Sequence, residues 1–122
     1  MTEQKTAGAL DFDALRHAAE RNDAAALADH HADDAVVRLV NRETPPSSPH
    51  VLRGKAEIAE FLEDACSRDI ESRIQDEVIT NNRIAFNEEC EYPDGLKVLT
   101  ATTLEIRGGK ITRQVSVEAW DE

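Results

Sequence analysis

Positive charge is scarce in this chain. Fourteen Lys and Arg stand against 25 Asp and Glu, a net charge of −11. The acidic excess runs through both halves, so no basic patch faces a phosphate backbone or an anionic membrane surface. Neither nucleic acid nor a membrane is an expected partner. Cysteine is nearly absent: Cys66 and Cys90 are too few for a disulfide framework. No apolar run approaches the ~20 residues of a membrane span, and the first residues lack the apolar stretch of a signal peptide. The expected location is cytoplasmic. Only five glycines occur, and the one adjacent pair is Gly108-Gly109. A phosphate loop, a dinucleotide fingerprint and a Gly-x-Ser-x-Gly elbow are all missing. The four histidines form no His-x-x-x-His and the cysteines no Cys-x-x-Cys, so neither metal nor cofactor is expected.

What is present suits a globular domain. The chain has 122 residues and 40% apolar content, enough to bury a core without staples. Residues 1–9 read as a flexible leader and residues 10–122 as one domain. Asp11 suits the cap of a helix from Phe12 to about Arg21, with Phe12, Leu15, Ala18 and Ala19 on its apolar stripe. Asp23 suits the cap of a second helix, which carries Ala24, Leu27, Ala28 and His31 on one face and ends at Asp33-Asp34. Ala35 to Val40 reads as a strand and Thr44 to Pro49 as a loop. Gly54 opens a third helix that buries Ile58, Phe61, Leu62 and Ala65.

From Ile70 the period changes from 3.6 to 2. Asn81-Asn82, Pro93-Asp94-Gly95 and Gly108-Gly109 are hairpin signals. They predict a four-strand antiparallel meander after three helices and one strand, an α+β domain. Counting from Pro93-Asp94-Gly95 pairs Cys90 with Val98, Glu88 with Thr100, Phe86 with Thr102 and Ile84 with Leu104 on a face turned to the helices. The opposite face pairs Arg83 with Glu105 and Glu91 with Lys97. Counting back from Asn81-Asn82 places Gln75 beside Glu88, with Arg73 and Glu77 as diagonal neighbours. On the last strand a clean Gly108-Gly109 turn points Arg113, Val115 and Val117 inward.

Three segments, HADDAVV (31–37), RGKAEIAEFL (53–62) and RGGKITRQVSVEAWDE (107–122), carry a resemblance. In order and spacing the chain resembles the nuclear transport factor 2-like superfamily, in its SnoaL-like polyketide cyclase and ketosteroid isomerase branch. The resemblance implies a cone: three helices on a strongly curved, mainly antiparallel sheet, with a pocket at the open end. It also implies a homodimer through the outer sheet face, where Leu99, Ala101 and Thr103 lie. On the last strand the resemblance implies Gln114, Ser116 and Glu118 inward instead, a one-residue difference from the clean turn that a β-bulge would produce, so two registers stand open there. The catalytic positions of the steroid isomerases fall at Leu15, Leu39 and about Thr102, none of which carries the expected acid. The last carboxylate of the limonene epoxide hydrolases falls near Ser116, with Glu118 two residues along.

Two catalytic candidates remain. Glu88 falls at an apolar pocket-wall position of the isomerases; lost hydration there would raise its pKa and suit it to act as a general base. The alternatives are a side chain turned toward the open rim, or a structural carboxylate bonded to Gln75 or Arg73. His31 stands where the family carries Phe or Tyr; it is either an acid/base partner at the pocket floor or a core histidine holding a carbonyl. Leu15, Leu39, Phe61, Gln75, Phe86, Thr100 and Thr102 are expected to line the pocket. Trp120 is either a rim aromatic or a dimer anchor. Cys66 and Cys90 read as small buried hydrophobes. Two functions follow: a cofactor-free acid/base isomerase, cyclase, dehydratase or hydrolase acting on an apolar molecule, or a non-catalytic ligand-binding or dimerisation module.

Overall fold

The computed structural model describes residues 6–7 and 10–121. In chain order the elements are β1 (Thr6–Ala7), β2 (Leu10–Asp11), α1 (Phe12–Glu20), α2 (Ala24–Asp29), β3 (His31–Val40), β4 (His50–Arg53), α3 (Lys55–Cys66), β5 (Glu71–Ile79), β6 (Arg83–Glu91), β7 (Lys97–Arg107) and β8 (Lys110–Trp120). The expected leader falls largely outside the described residues; within it, Thr6–Ala7 pair with Leu10–Asp11. The other six strands form one open, curved sheet in the order β4-β3-β8-β7-β6-β5. Every neighbouring pair is antiparallel except β3 and β8, which run parallel. Three helices lie against this sheet, which is the cone-shaped α+β arrangement the sequence implies.

Local chemistry sets the helix ends. The Asp11 carboxylate accepts hydrogen bonds from the N–H groups of Asp13 and Ala14, at 3.0 and 3.3 Å, and so caps α1. Asp23 caps α2 through the Ala26 N–H. Gly54 precedes α3 at φ +87°, a conformation that a side chain resists. The Glu57 side chain reaches back to the Arg53 N–H at 2.9 Å.

Two expectations about this half of the chain are corrected. The second helix stops at Asp29, and His31 opens β3 rather than closing the helix. The His30 carbonyl accepts the Ile111 N–H at 2.8 Å, which draws the chain onto β8 four residues before Asp34. Asp33 and Asp34 are exposed where the β3–β8 register shifts, between His31 and Val36. The strand β4 was not expected. It is only four residues long and directly follows Pro49, too short to show a period of its own.

The meander pairs as counted around Pro93-Asp94-Gly95, from Glu91 with Lys97 to Arg83 with Glu105. Gly95 takes φ +91° in the turn. Arg83 and Glu105 make an ion pair of 3.2 Å on the outer face. Asn81 and Asn82 do form a tight turn, closed by Thr80 and Arg83, but neither takes a positive φ. Two bulges set the remaining faces. At Asp76, φ +61°, the β5–β6 register slips by one, so Ile74 rather than Gln75 lies beside Glu88. Gln75 turns outward and donates to Glu89 at 2.8 Å. Glu77 instead swings towards α1 and holds the Arg16 guanidinium at 2.8 Å. In β8 the bulge falls at Thr112, between the Ile106–Ile111 and Glu105–Arg113 pairs. It places Gln114, Ser116 and Glu118 on the inner face and settles the open register.

The core is split. One cluster joins Leu10, Phe12 and Leu15 to Ile74, Ile84, Phe86, Leu104, Ile106 and Ile111. The other joins Ala35, Val37, Leu39 and Leu52 to Ile58 of α3. Asp76 gives a direct test of the bulge. An L-residue in the left-handed region is strained by about 1–2 kcal/mol, and least so for Asp, Asn or Gly. Asp76→Val is expected to lower stability by about that amount in urea unfolding, and Asp76→Gly to leave it unchanged or higher.

Candidate functional site

Between the two core clusters the cone is hollow. A cavity of about 450 Å³ lies there, within the roughly 300–1,000 Å³ of small-molecule sites. Its apolar wall combines Leu15 of α1, Leu39 of β3, Phe61 and Leu62 of α3, and Ile74, Phe86, Leu104 and Ile111 of the sheet. Its polar wall is the inner face of β6, β7 and β8. There the register sets Glu88, Thr100 and Glu118 in one row and Phe86, Thr102 and Ser116 in the next. Leu15, Leu39, Phe61, Phe86, Glu88, Thr100, Thr102, Trp120 and His31 are thus brought to one cavity; Gln75 is excluded from it by the Asp76 bulge.

Glu88 stands at the centre of the polar wall. Burial pushes its carboxyl above the usual carboxylate range, and the nearby Glu118 and Glu20 carboxylates add to that. Hydrogen bonding to Ser72 and Cys90 offsets part of the rise. Among the described residues no Lys or Arg forms an ion pair with Glu88, and Arg73 lies on the outer face opposite Glu89. The structural alternative for Glu88, a bond to Gln75 or Arg73, therefore has no geometry to support it. Burial, then the Glu88 carboxyl, pushes the Cys90 thiol up to about 11, which leaves it without a thiolate at neutral pH.

His31 is buried at the first residue of β3. Its Nδ1 lies 2.9 Å from the Leu27 carbonyl and its Nε2 lies 3.2 Å from Gln114 Oε1. The Gln114 amide donates to Ser116 Oγ at 3.1 Å, and Ser116 Oγ lies 2.8 Å from Thr102 Oγ1. A polar chain thus crosses the cavity floor from α2 to β7. Both ring nitrogens of His31 are engaged, so it anchors the chain and presents no free nitrogen to the cavity.

At the other end of the polar row, Glu118 Oε1 accepts from Asn41 Nδ2 at 2.9 Å and from Trp120 Nε1 at 3.2 Å. Trp120 lines the cavity, and its ring carries the Arg42 guanidinium at 4.6 Å. Asn41 and Ser72 escape a reading of sequence alone; Asn41 follows β3 and Ser72 lies in β5, each among other polar residues, and only the sheet brings it to a carboxylate. Among the described residues no group of three His, Cys, Asp or Glu is placed to hold a metal ion. No described helix is long and apolar enough to cross a membrane.

The sequence model of the SnoaL-like domain matches residues 12–114. The chain belongs to the SnoaL-like domain family. Solved structures agree on the fold. A nuclear transport factor 2-like protein of unknown function from Mesorhizobium loti superposes with a TM-score of 0.74 at 14% identity, covering 86% of this chain and 84% of that one. A protein from Kribbella flavida, described as a proposed ketosteroid isomerase, gives 0.71 at 15% identity, covering 90% and 74%. A proposed polyketide cyclase from Sinorhizobium meliloti gives 0.66 at 18% identity, covering 85% and 90%. At these identities the likeness is one of fold. No curated protein matches this SnoaL-like chain in sequence.

The raised Glu88 carboxyl carries a stability signature. A folded-state pKa above the unfolded one means that the folded protein binds more protons in the window between them, so stability falls as pH rises through that window. Glu88→Gln removes the loss. Its urea midpoint is expected to match that of the parent near pH 4 and to exceed it at pH 8. A variant less stable than the parent at pH 8 would show Glu88 to be a paired structural carboxylate.

Proposed function

We propose that the cavity binds a small, largely apolar molecule and that Glu88 moves a proton on it. The reaction class is an isomerisation, cyclisation, dehydration or hydrolysis driven by the protein's own side chains. The observation that carries this reading is Glu88 itself: a carboxyl on the wall of a ligand-sized cavity, raised by burial and, among the described residues, paired with no cation. A carboxyl whose pKa is raised is a stronger proton acceptor once ionised, which suits general acid/base catalysis. Thr100, directly across the β6–β7 pair, offers a hydroxyl to orient the substrate. His31 acts through the polar chain, holding Ser116 and Thr102 in place.

A second reading is favoured by Leu15 and Leu39. They stand in the cavity wall at the positions where steroid isomerases resembling this chain carry their tyrosine and aspartate. On that reading the protein binds a ligand without turnover. Thermal-shift screening against steroids, terpenoids and aromatic polyketides, followed by mass spectrometry of each hit, separates the two. The catalytic reading expects product from the parent and at least a hundredfold less from Glu88→Gln, with ligand binding retained. Ligands that bind and return unchanged from the parent would establish the binding module.

The outer sheet face supports a homodimer. Val78, Leu99 and Val117, the large apolar side chains that stand most exposed, all lie on it, each paired with a neighbour that also points outward. A face of this kind with no helix over it suits a second copy of itself. Sedimentation at micromolar concentration is expected to give about twice 13.5 kDa, and Leu99→Lys to return the single-chain mass.

A further inference from the structure

The cavity wall carries more acidic than basic groups. Glu43, Asp64 and Glu118 line it, with Glu88, whose ionisation burial opposes, against the Arg68 guanidinium and the His31 and His50 imidazoles, and Arg42 lies over the Trp120 ring. Arg68 is already bound to Asp64 at 2.6 Å. Among the described residues no lysine lines the cavity. An anionic ligand would meet the Glu118 carboxylate there.

Glu118 and Thr100 supply the second observation. They face each other across the β7–β8 pair on the inner face. The hydrogen bonds from Asn41 and Trp120 both fall on Oε1 of Glu118 and fix its orientation. Its Oε2 accepts no hydrogen bond among the described residues. Thr100 is only 8% exposed, yet its hydroxyl has no protein partner among the described residues and gives onto the cavity. One carboxylate oxygen, an acceptor, and one hydroxyl, which accepts as well as donates, thus stand side by side on the cavity wall. A donor that also carries positive charge satisfies them together.

We propose that the ligand carries an ammonium group on an apolar body, held between Glu118 and Thr100. This rests on the reading of the cavity as a small-molecule site. The ammonium sits at the Glu118 end of the row, while Leu39, Phe61 and Phe86 cover the apolar body. Glu88, two strands away along the same row, is left free to act on the ligand rather than to anchor it. Glu118 is accordingly a specificity-determining residue.

Three probes of one shape test this: 4-phenylbutylamine, 4-phenylbutan-1-ol and 5-phenylpentanoate, titrated calorimetrically against the full chain at pH 7. The amine is expected to bind at least tenfold more tightly than the alcohol, and the carboxylate not at all. Glu118→Gln is expected to bring the amine down to the affinity of the alcohol and to leave the alcohol unchanged, which also reports that the variant is folded. Equal binding of amine and alcohol, or tighter binding of the carboxylate, would overturn the ammonium assignment and leave the small-molecule site standing. An amine preference that survives Glu118→Gln would overturn the role given to Glu118. Failure of all three probes would overturn the small-molecule reading and this inference with it.

Discussion

Strands β7 and β8 are eleven residues long, about 36 Å, whereas α3, the longest helix, has twelve, about 18 Å. The concave face of the sheet therefore cannot be covered by any one helix. The short α1 packs Phe12 and Leu15 onto one end, and α3 packs Ile58 onto the other. The gap between them is the cavity. Because the strands pass through both core regions and the gap, the same alternation that buries Ile84 and Leu104 also turns Glu88, Thr100 and Glu118 inward. The site is the uncovered middle of a continuous surface.

Polar residues on that middle stretch would be costly in a filled core. Here they are served in two ways. His31, Gln114, Ser116 and Thr102 satisfy one another in a chain, while Glu88 faces the hollow with its charge discouraged by burial. A chain of this kind fixes side chains without filling space, so the cavity floor is rigid and polar at once. The apolar wall comes from other elements, chiefly α1, β3 and α3. The two walls can therefore vary separately, a property that suits one fold to many ligands.

Much of this was legible in the sequence, and the failures share a cause. Pro93-Asp94-Gly95 fixes the β6–β7 register because its loop length and its glycine admit one hairpin geometry. From that turn alone, Glu88 facing Thr100 and Phe86 facing Thr102 could be counted. Gln75 was misplaced because a bulge adds a residue without a compositional signal. Nothing in Arg-Ile-Gln-Asp-Glu-Val marks Asp76 for a left-handed backbone except that aspartate tolerates one. The bulge turns Glu77 towards α1, where it pairs with Arg16. The Thr112 bulge likewise answers to distant demands, since without it Arg113 would point into the cone. The spacing of His31 from Leu27 is helical, which is why the sequence reads as a helix there. The contact between them is real, but it is made from the first residue of a strand.

The parallel pairing of β3 with β8 joins residues about eighty positions apart, His31 with Ile111 and Val40 with Val117. During synthesis β3 emerges long before β8 and has only β4, of four residues, to shield one edge. Its other edge, bearing Val36, Val37 and Val40, waits for a strand not yet made. Local helices and the β5–β7 hairpins can form first; the sheet becomes continuous only when the last strand inserts between β3 and β7. Insertion of that strand completes the sheet and the polar wall in one step, because β8 brings Gln114, Ser116 and Glu118 with it. The cavity wall is thus a late product of folding, and a nascent chain short of β8 carries Glu88, Thr100 and Thr102 without Gln114, Ser116 and Glu118.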